Sequence, residues 1–89
     1  MQLEVIRGPA ASGKTTQLRR IAKADGQDEG HILLAKEFTH AALKSRIHFL
    51  AARGARVVCI DECSEEQIEL LRRLSAALPN IHIHAAVAA

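Results

Sequence analysis

Apolar residues along this chain follow two alternating rhythms: short runs of strand character are separated by longer stretches with three- and four-residue apolar spacing. The first run covers residues 2–7. Leu3, Val5 and Ile6 are apolar there, while Gln2 and Glu4 make one face more polar than in a doubly covered central strand. Residues 14–24 suit a helix, with Leu18, Ile21 and Ala22 inward and Arg19, Arg20 and Lys23 outward. Asp25-Gly26 marks its end, and Asp28-Glu29-Gly30 makes a polar connection. His31 to Ala35 is a second strand-like run. Thr39 then caps a second helix reaching about Ala52, with Leu43, Ile47 and Leu50 as its apolar stripe and Gly54 just past its end. Arg56 to Ile60 carries the strongest strand signal, β-branched and continuous as buried parallel strands are, and it ends in Asp61-Glu62. Ser64 and Gln67 form a capping box, so a third helix begins at Glu65. Ile68, Leu71, Leu74 and Leu78 supply its buried stripe, and Pro79 forbids continuation. A last strand runs from Ile81 to about Val87.

Strands alternating with helices are the mark of a parallel sheet with helices on both faces. The expectation is therefore an α/β protein, a small three-layer α/β/α sandwich with a four-stranded parallel sheet. With 89 residues and no internal repeat or linker, residues 1–89 make one domain.

Between the first strand and the first helix stands Gly8-Pro9-Ala10-Ala11-Ser12-Gly13-Lys14-Thr15, which reads G-x-x-x-x-G-K-T, the phosphate-binding loop known as Walker A. The residue types follow from the task of holding a triphosphate tail. Successive backbone N–H groups of a curled loop and the positive end of the next helix can cradle several negative charges. Gly8 lets the chain leave the strand in a conformation closed to residues with a Cβ, and Gly13 lets backbone approach phosphate closely. Lys14 is the candidate for the β- and γ-phosphates, the Thr15 hydroxyl for Mg²⁺, and Thr16 for a further contact in the same turn.

A second constellation follows about 47 residues later, where Val57-Val58-Cys59-Ile60 runs into Asp61 in the manner of a Walker B motif. A carboxylate at the end of a buried strand beside a phosphate loop can hold Mg²⁺ through its water shell. Glu62 can polarise an attacking water or accept a proton from another nucleophile; the plainer role for both acids is a solvated strand end that favours the next helix start.

With both motifs in hand, the chain resembles a P-loop NTPase over its whole length. Asp61-Glu62 resembles the branch with a catalytic glutamate beside the Walker B aspartate, which includes AAA+ proteins and recombinase-like ATPases. That resemblance implies the sheet order 1-4-3-2, with residues 81–87 inserted between residues 2–7 and 56–61. It also implies ATP or another nucleoside triphosphate with Mg²⁺ as ligand. A local similarity to thymidine kinases lies in Gly8-Pro9, Ser12-Gly13-Lys14-Thr15-Thr16, the helix Gln17-Leu18-Arg19-Arg20, and Ile60-Asp61-Glu62. In that family the glutamate deprotonates the nucleoside hydroxyl. The chain departs from both patterns. It shows no zinc-held lasso to enclose a nucleoside, no fifth strand and no arginine finger, and its last strand ends in Ala85-Ala86-Val87 where motor ATPases carry a polar sensor.

Three functional readings follow. The first is a minimal domain that binds the Mg-nucleotide through the loop and hydrolyses it slowly, or only with an oligomer or protein partner completing the site. There Lys14 and Glu62 are the catalytic candidates, and Thr15 and Asp61 the metal ligands. The second is a shortened phosphotransferase of thymidine-kinase type, and the third a nucleotide-binding module without turnover.

Composition narrows the partners. The net charge is +2, with twelve basic and ten acidic residues well mixed, which points to no particular polyanion. Phe38 and Phe49 are the only aromatics, leaving little for stacking single strands, so nucleic acid is not indicated. No run of about 18 apolar residues indicates a membrane span. Two cysteines without an export signal suggest the reducing cytoplasm. Cys59, Cys63, His82 and His84 have C-x₃-C and H-x-H spacing, unlike common zinc pairs. Cys59 reads as a small core residue, and the two histidines share one strand face beneath a helix. Arg19, Arg20, Lys23, Arg72 and Arg73 read as solvated helix faces, and Arg53 and Arg56 fall at the end of the sheet away from the loop. The first strand, at the sheet edge, calls for cover by an oligomer or for shortness.

Overall fold

The computed structural model describes residues 3–8, 13–24 and 32–88. In chain order the elements are β1 (Leu3–Ile6), α1 (Lys14–Ala24), β2 (Leu33–Leu34), a 3-10 turn (Ala35–Glu37), α2 (His40–Ala52), β3 (Val57–Cys63), α3 (Glu65–Ala77) and β4 (His82–Val87). All pairings are parallel, in the order β1-β4-β3-β2.

Local chemistry fixes the helix ends. The Thr39 hydroxyl accepts from the Ala42 N–H at the start of α2. At α3 the capping box is complete: the Gln67 N–H donates to the Ser64 hydroxyl, and the Gln67 side-chain oxygen accepts from the Ser64 N–H. Beyond α2, Gly54 takes φ 88°, a left-handed turn that favours glycine.

Helices cover both faces of the sheet. On one, α1 lays Leu18 and Ala22 against Ile6, Cys59 and Ala86. On the other, Leu43 and Ile47 of α2 and Ile68, Leu71 and Leu74 of α3 meet Val58, Ile60, Ile83 and Ala85. The apolar periods of the three helices thus become two core layers, one on each side of the strands. Burying each large aliphatic side chain contributes roughly 1.5–3 kcal/mol.

Three strands differ from their sequence expectation. β1 ends at Ile6, before Arg7, and Gln2 lies outside the described residues. β2 is only Leu33–Leu34, because the chain turns at Ala35 into the 3-10 segment; His31 lies outside the described residues. β3 instead runs on through Asp61 and Glu62 to Cys63. Between Ile60, opposite Ala85, and Cys63, opposite Val87, the register shifts by one residue, which is a β-bulge. His82 and His84 share one face of β4, their rings stacked 4.7 Å apart, but His82 is exposed and His84 only part-buried. Among the described residues, no helix is long and apolar enough to cross a membrane.

Candidate functional site

Both motifs arrive at the carboxyl ends of the strands, where ligands bind in open parallel sheets. β1 leads into α1 on one face, and β3 leads into α3 on the other. The loop residues Pro9, Ala10, Ala11 and Ser12 lie outside the described residues. On either side of them, Gly8 has φ 158°, next to fully extended, whereas Gly13 has φ 87°. The left-handed turn that favours glycine is therefore Gly13's. A Cβ there would meet nothing within 4 Å, so the requirement is conformational. The Gly13 carbonyl accepts from the Gln17 N–H at 2.9 Å and so begins the helical ladder.

Lys14 folds back so that its ammonium donates to the Gly8 carbonyl at 2.5 Å, spanning the chain on either side of the loop. Thr15 and Asp61 meet directly: the threonine hydroxyl donates to one carboxylate oxygen at 2.7 Å. The other oxygen accepts the Glu62 N–H at 2.9 Å. Asp61 is 7% exposed, so both oxygens of a buried carboxylate have donors. Thr16 is exposed.

Glu62 holds φ 56°, a left-handed conformation that is costly for a residue with a Cβ. It sits within the bulge, which turns its side chain toward Lys36 of the 3-10 segment, with the ammonium 2.8 Å from Oε2. The contact is an ion pair without hydrogen-bond alignment, since Oε2 has no hydrogen-bond partner. This short polar contact, with the carboxylate's charge behind it, raises the Lys36 ammonium above its usual range; desolvation works against the rise, and Glu37 and Asp61 add to it.

The structure thus brings Lys14, Thr15, Asp61 and Glu62 to one end of the sheet and adds Lys36, which the sequence reading did not single out. Its signal was the position just after a strand, in a short run whose partner strand ends in two acids. Gln67 does more than the capping box requires. Besides capping α3, its side-chain NH₂ donates to the Ala35 carbonyl at 2.8 Å and so braces the turn that carries Lys36. Nearby, Arg7 and Glu65 pair across the ends of β1 and α3, and that pairing holds the exposed Glu65 carboxyl below its usual range.

The donor set suits a hard cation and phosphate. Thr15 and Asp61 offer oxygen only, and the hydroxyl keeps lone pairs after giving its proton to Asp61. Among the described residues, no group of three or more His, Cys, Asp or Glu side chains is arranged to hold a metal ion. A Mg²⁺ here would draw its remaining ligands from water and phosphate, as Mg²⁺ commonly does. Cys59 and Cys63 lie in opposite core layers, and burial, aided by the charge of Asp61, pushes the Cys63 thiol up to about 12. It is a packed, inert thiol.

Fold and donor chemistry together define a parallel α/β domain with oxygen donors and two lysines gathered at its carboxyl edge. Comparison with protein-family models, with curated proteins and with solved structures gives no match for this chain.

Proposed function

We infer that this chain is a nucleotide-binding domain that takes a Mg-nucleoside triphosphate, with ATP the first candidate, at the carboxyl ends of β1 and β3. The observation carrying this reading is the hydrogen bond between Thr15 and Asp61, residues 46 positions apart. One belongs to the G-x-x-x-x-G-K-T run and the other closes the apolar strand, so two separately read motifs meet at one pair of oxygens. In this reading Lys14 exchanges its contact with the Gly8 carbonyl for phosphate oxygens, and the loop amides and the α1 N-terminus carry the rest of the negative charge. Thr15 and Asp61 hold the metal, which would neutralise phosphate charge. Glu62 orients a water for slow hydrolysis, or for hydrolysis completed by a partner that supplies further positive charge.

The Lys36–Glu62 ion pair favours a second reading, a module that binds nucleotide without turnover. A glutamate engaged by an ammonium 2.8 Å away must leave that contact before it can orient a water beside Asp61. The test begins with amide shifts of isotopically labelled protein on addition of MgATP and MgADP, with Lys14→Ala as control. Shifts at residues 13–16 and 61–62 that disappear in the variant support binding, and none at millimolar nucleotide refutes it. Glu62→Gln then separates the readings: hydrolysis falls with affinity retained if Glu62 acts on water, whereas wild-type hydrolysis at background selects the module.

A further inference from the structure

The outward faces of the three helices are unlike. α1 and α3 show solvent polar and charged side chains, whereas α2 carries an outward strip of Ala41, Ala42, Ser45, Phe49 and Ala52, with Lys44, Arg46 and His48 exposed beside it. This strip lies on the side of α2 away from the buried Leu43 and Ile47, so the helix presents small and apolar residues outward as well as inward, with cations between the two stripes. Phe49 is 55% exposed, the one large exposed hydrophobic among the described residues. Small side chains around a single aromatic let another helix approach closely and give it one anchor to pack against.

Charge identifies what would cover it. From Phe38 to Ile60 the chain contains no acidic residue, and it carries Lys44, Arg46, Arg53 and Arg56. Among the described residues, no carboxylate pairs with any of these four. Arg53 lies over the Phe49 ring at 5.4 Å and Arg46 over the Phe38 ring at 5.6 Å, so both guanidiniums flank the apolar strip. At the carboxyl end of α2 the strip runs into a cavity of about 360 Å³ lined by Ala52, Ala55, Leu78 and Pro79, with His48 at its side. It lies at the opposite end of the sheet from the loop and has room for a large apolar side chain. An apolar centre with a charged rim is the anatomy of a protein interface.

We propose that the outer face of α2 and the adjoining cavity form a docking surface for an acidic amphipathic helix of another protein, its apolar stripe on Phe49 and its carboxylates on Arg46 and Arg53. A symmetric pairing of two α2 faces would oppose like charges and is disfavoured. Nucleic acid would call for cations at the centre of the surface instead of its rim. The surface shares no residue with Lys14, Thr15, Asp61 or Glu62, so it stands or falls independently of the nucleotide reading.

The test uses the whole labelled chain and a synthetic helix of about four turns, with leucine and phenylalanine on one face and glutamate on its flanks. A copy of the helix with lysine flanks and a short single-stranded oligonucleotide serve as comparisons. The expected result is amide shifts along residues 41–55 with the glutamate helix only. Its affinity should fall about tenfold or more in Phe49→Ala, as for loss of a central aromatic anchor, and again in Arg53→Glu. Both sites are exposed, and unchanged amide dispersion elsewhere verifies that each variant is folded. No shifts at millimolar peptide, equal binding of the lysine helix, displacement by the oligonucleotide, or self-association through the same residues would each overturn the proposal.

Discussion

Replacing Gln67 tests how the edge of the candidate site is braced. The side chain is 6% exposed and joins two parts of the chain, accepting from the Ser64 N–H at 2.9 Å and donating to the Ala35 carbonyl at 2.8 Å. A contact to the Phe38 carbonyl at 3.5 Å is too long to count for much. Each good neutral bond is worth about 1 kcal/mol net, and loss of the buried stem adds about 0.8 kcal/mol per methylene. Gln67→Ala should therefore cost about 2–3 kcal/mol, which lowers the melting temperature of a domain this small by roughly 10–20 °C. Urea unfolding should show the loss at an unchanged slope. Gln67→Glu separates the two bonds. Its carboxylate still accepts from Ser64 but has no proton for Ala35, so the variant is destabilised at neutral pH. It should recover as pH falls and the protonated acid donates again. Gln67→Ala within about 0.5 kcal/mol of the parent protein, the range of ordinary surface changes, would refute the bracing.

Other perturbations reach the remaining layers. Leu18 is fully buried and is the one large side chain of α1 to be so, hence Leu18→Ala should cost about 2–5 kcal/mol in chemical denaturation. A loss under about 1 kcal/mol would mean that α1 is held by something other than its apolar face. At Glu62 the left-handed backbone costs a side-chain residue about 1–2 kcal/mol, and glycine gives back about 0.5–1 kcal/mol in unfolded-state entropy. Glu62→Gly should thus be the more stable of Glu62→Gly and Glu62→Ala, and the reverse order would contradict the strain. Burial lowers the His84 imidazole pKa below its ordinary 6.5; the charge of Glu4 opposes this and that of His82 adds to it. Neutral His84 is thus the form the fold favours. Its contribution is complete above pH 6.5 and is lost as pH falls toward the lowered folded value. Urea midpoints measured down from pH 6.5 should fall less steeply in His84→Gln, and parallel profiles would remove His84 as the cause.

The parts of the fold that could be read in advance are those whose causes are local. Thr39, Ser64, Gln67 and Pro79 act within one helical turn, and the stripes Leu18–Ala22 and Ile68–Leu71–Leu74 show which faces are buried wherever the sheet lies. What escaped depended on partners distant in sequence. Ala35 reads as the end of an apolar run, yet its carbonyl is held by Gln67, 32 residues away, and the chain turns instead of extending β2. The site divides in the same way. Lys14, Thr15 and Asp61 belong to a spaced pattern and could be named. Lys36 belongs to none, and only the pairing of Leu34 opposite Asp61 carries it to Glu62.

The bulge in β3 limits what the strain at Glu62 implies about function. Val58 and Ile60 face the layer formed with α2 and α3, and strict alternation would send residue 62 into that layer as well. Residue 62 is a glutamate, and burying an unpaired carboxylate among leucines and isoleucines costs several kcal/mol. The extra residue in the register removes the conflict: Cys63 takes the core position, and Glu62 turns out to Lys36. A left-handed backbone at about 1–2 kcal/mol is the smaller cost. The strain is therefore explained by keeping a charge out of the core, whether or not Glu62 acts on a substrate. A residue of no function at position 62 could have been apolar and unstrained, however, with no bulge at all. The substitution that separates these views is Glu62→Val. If the bulge exists only to keep the charge out, valine should restore alternation and stabilise the domain, leaving the Thr15–Asp61 pair intact and nucleotide shifts at residues 13–16 unchanged. If the bulge sets the aim of Asp61, those shifts should weaken as stability rises, and strain and binding would then be one device.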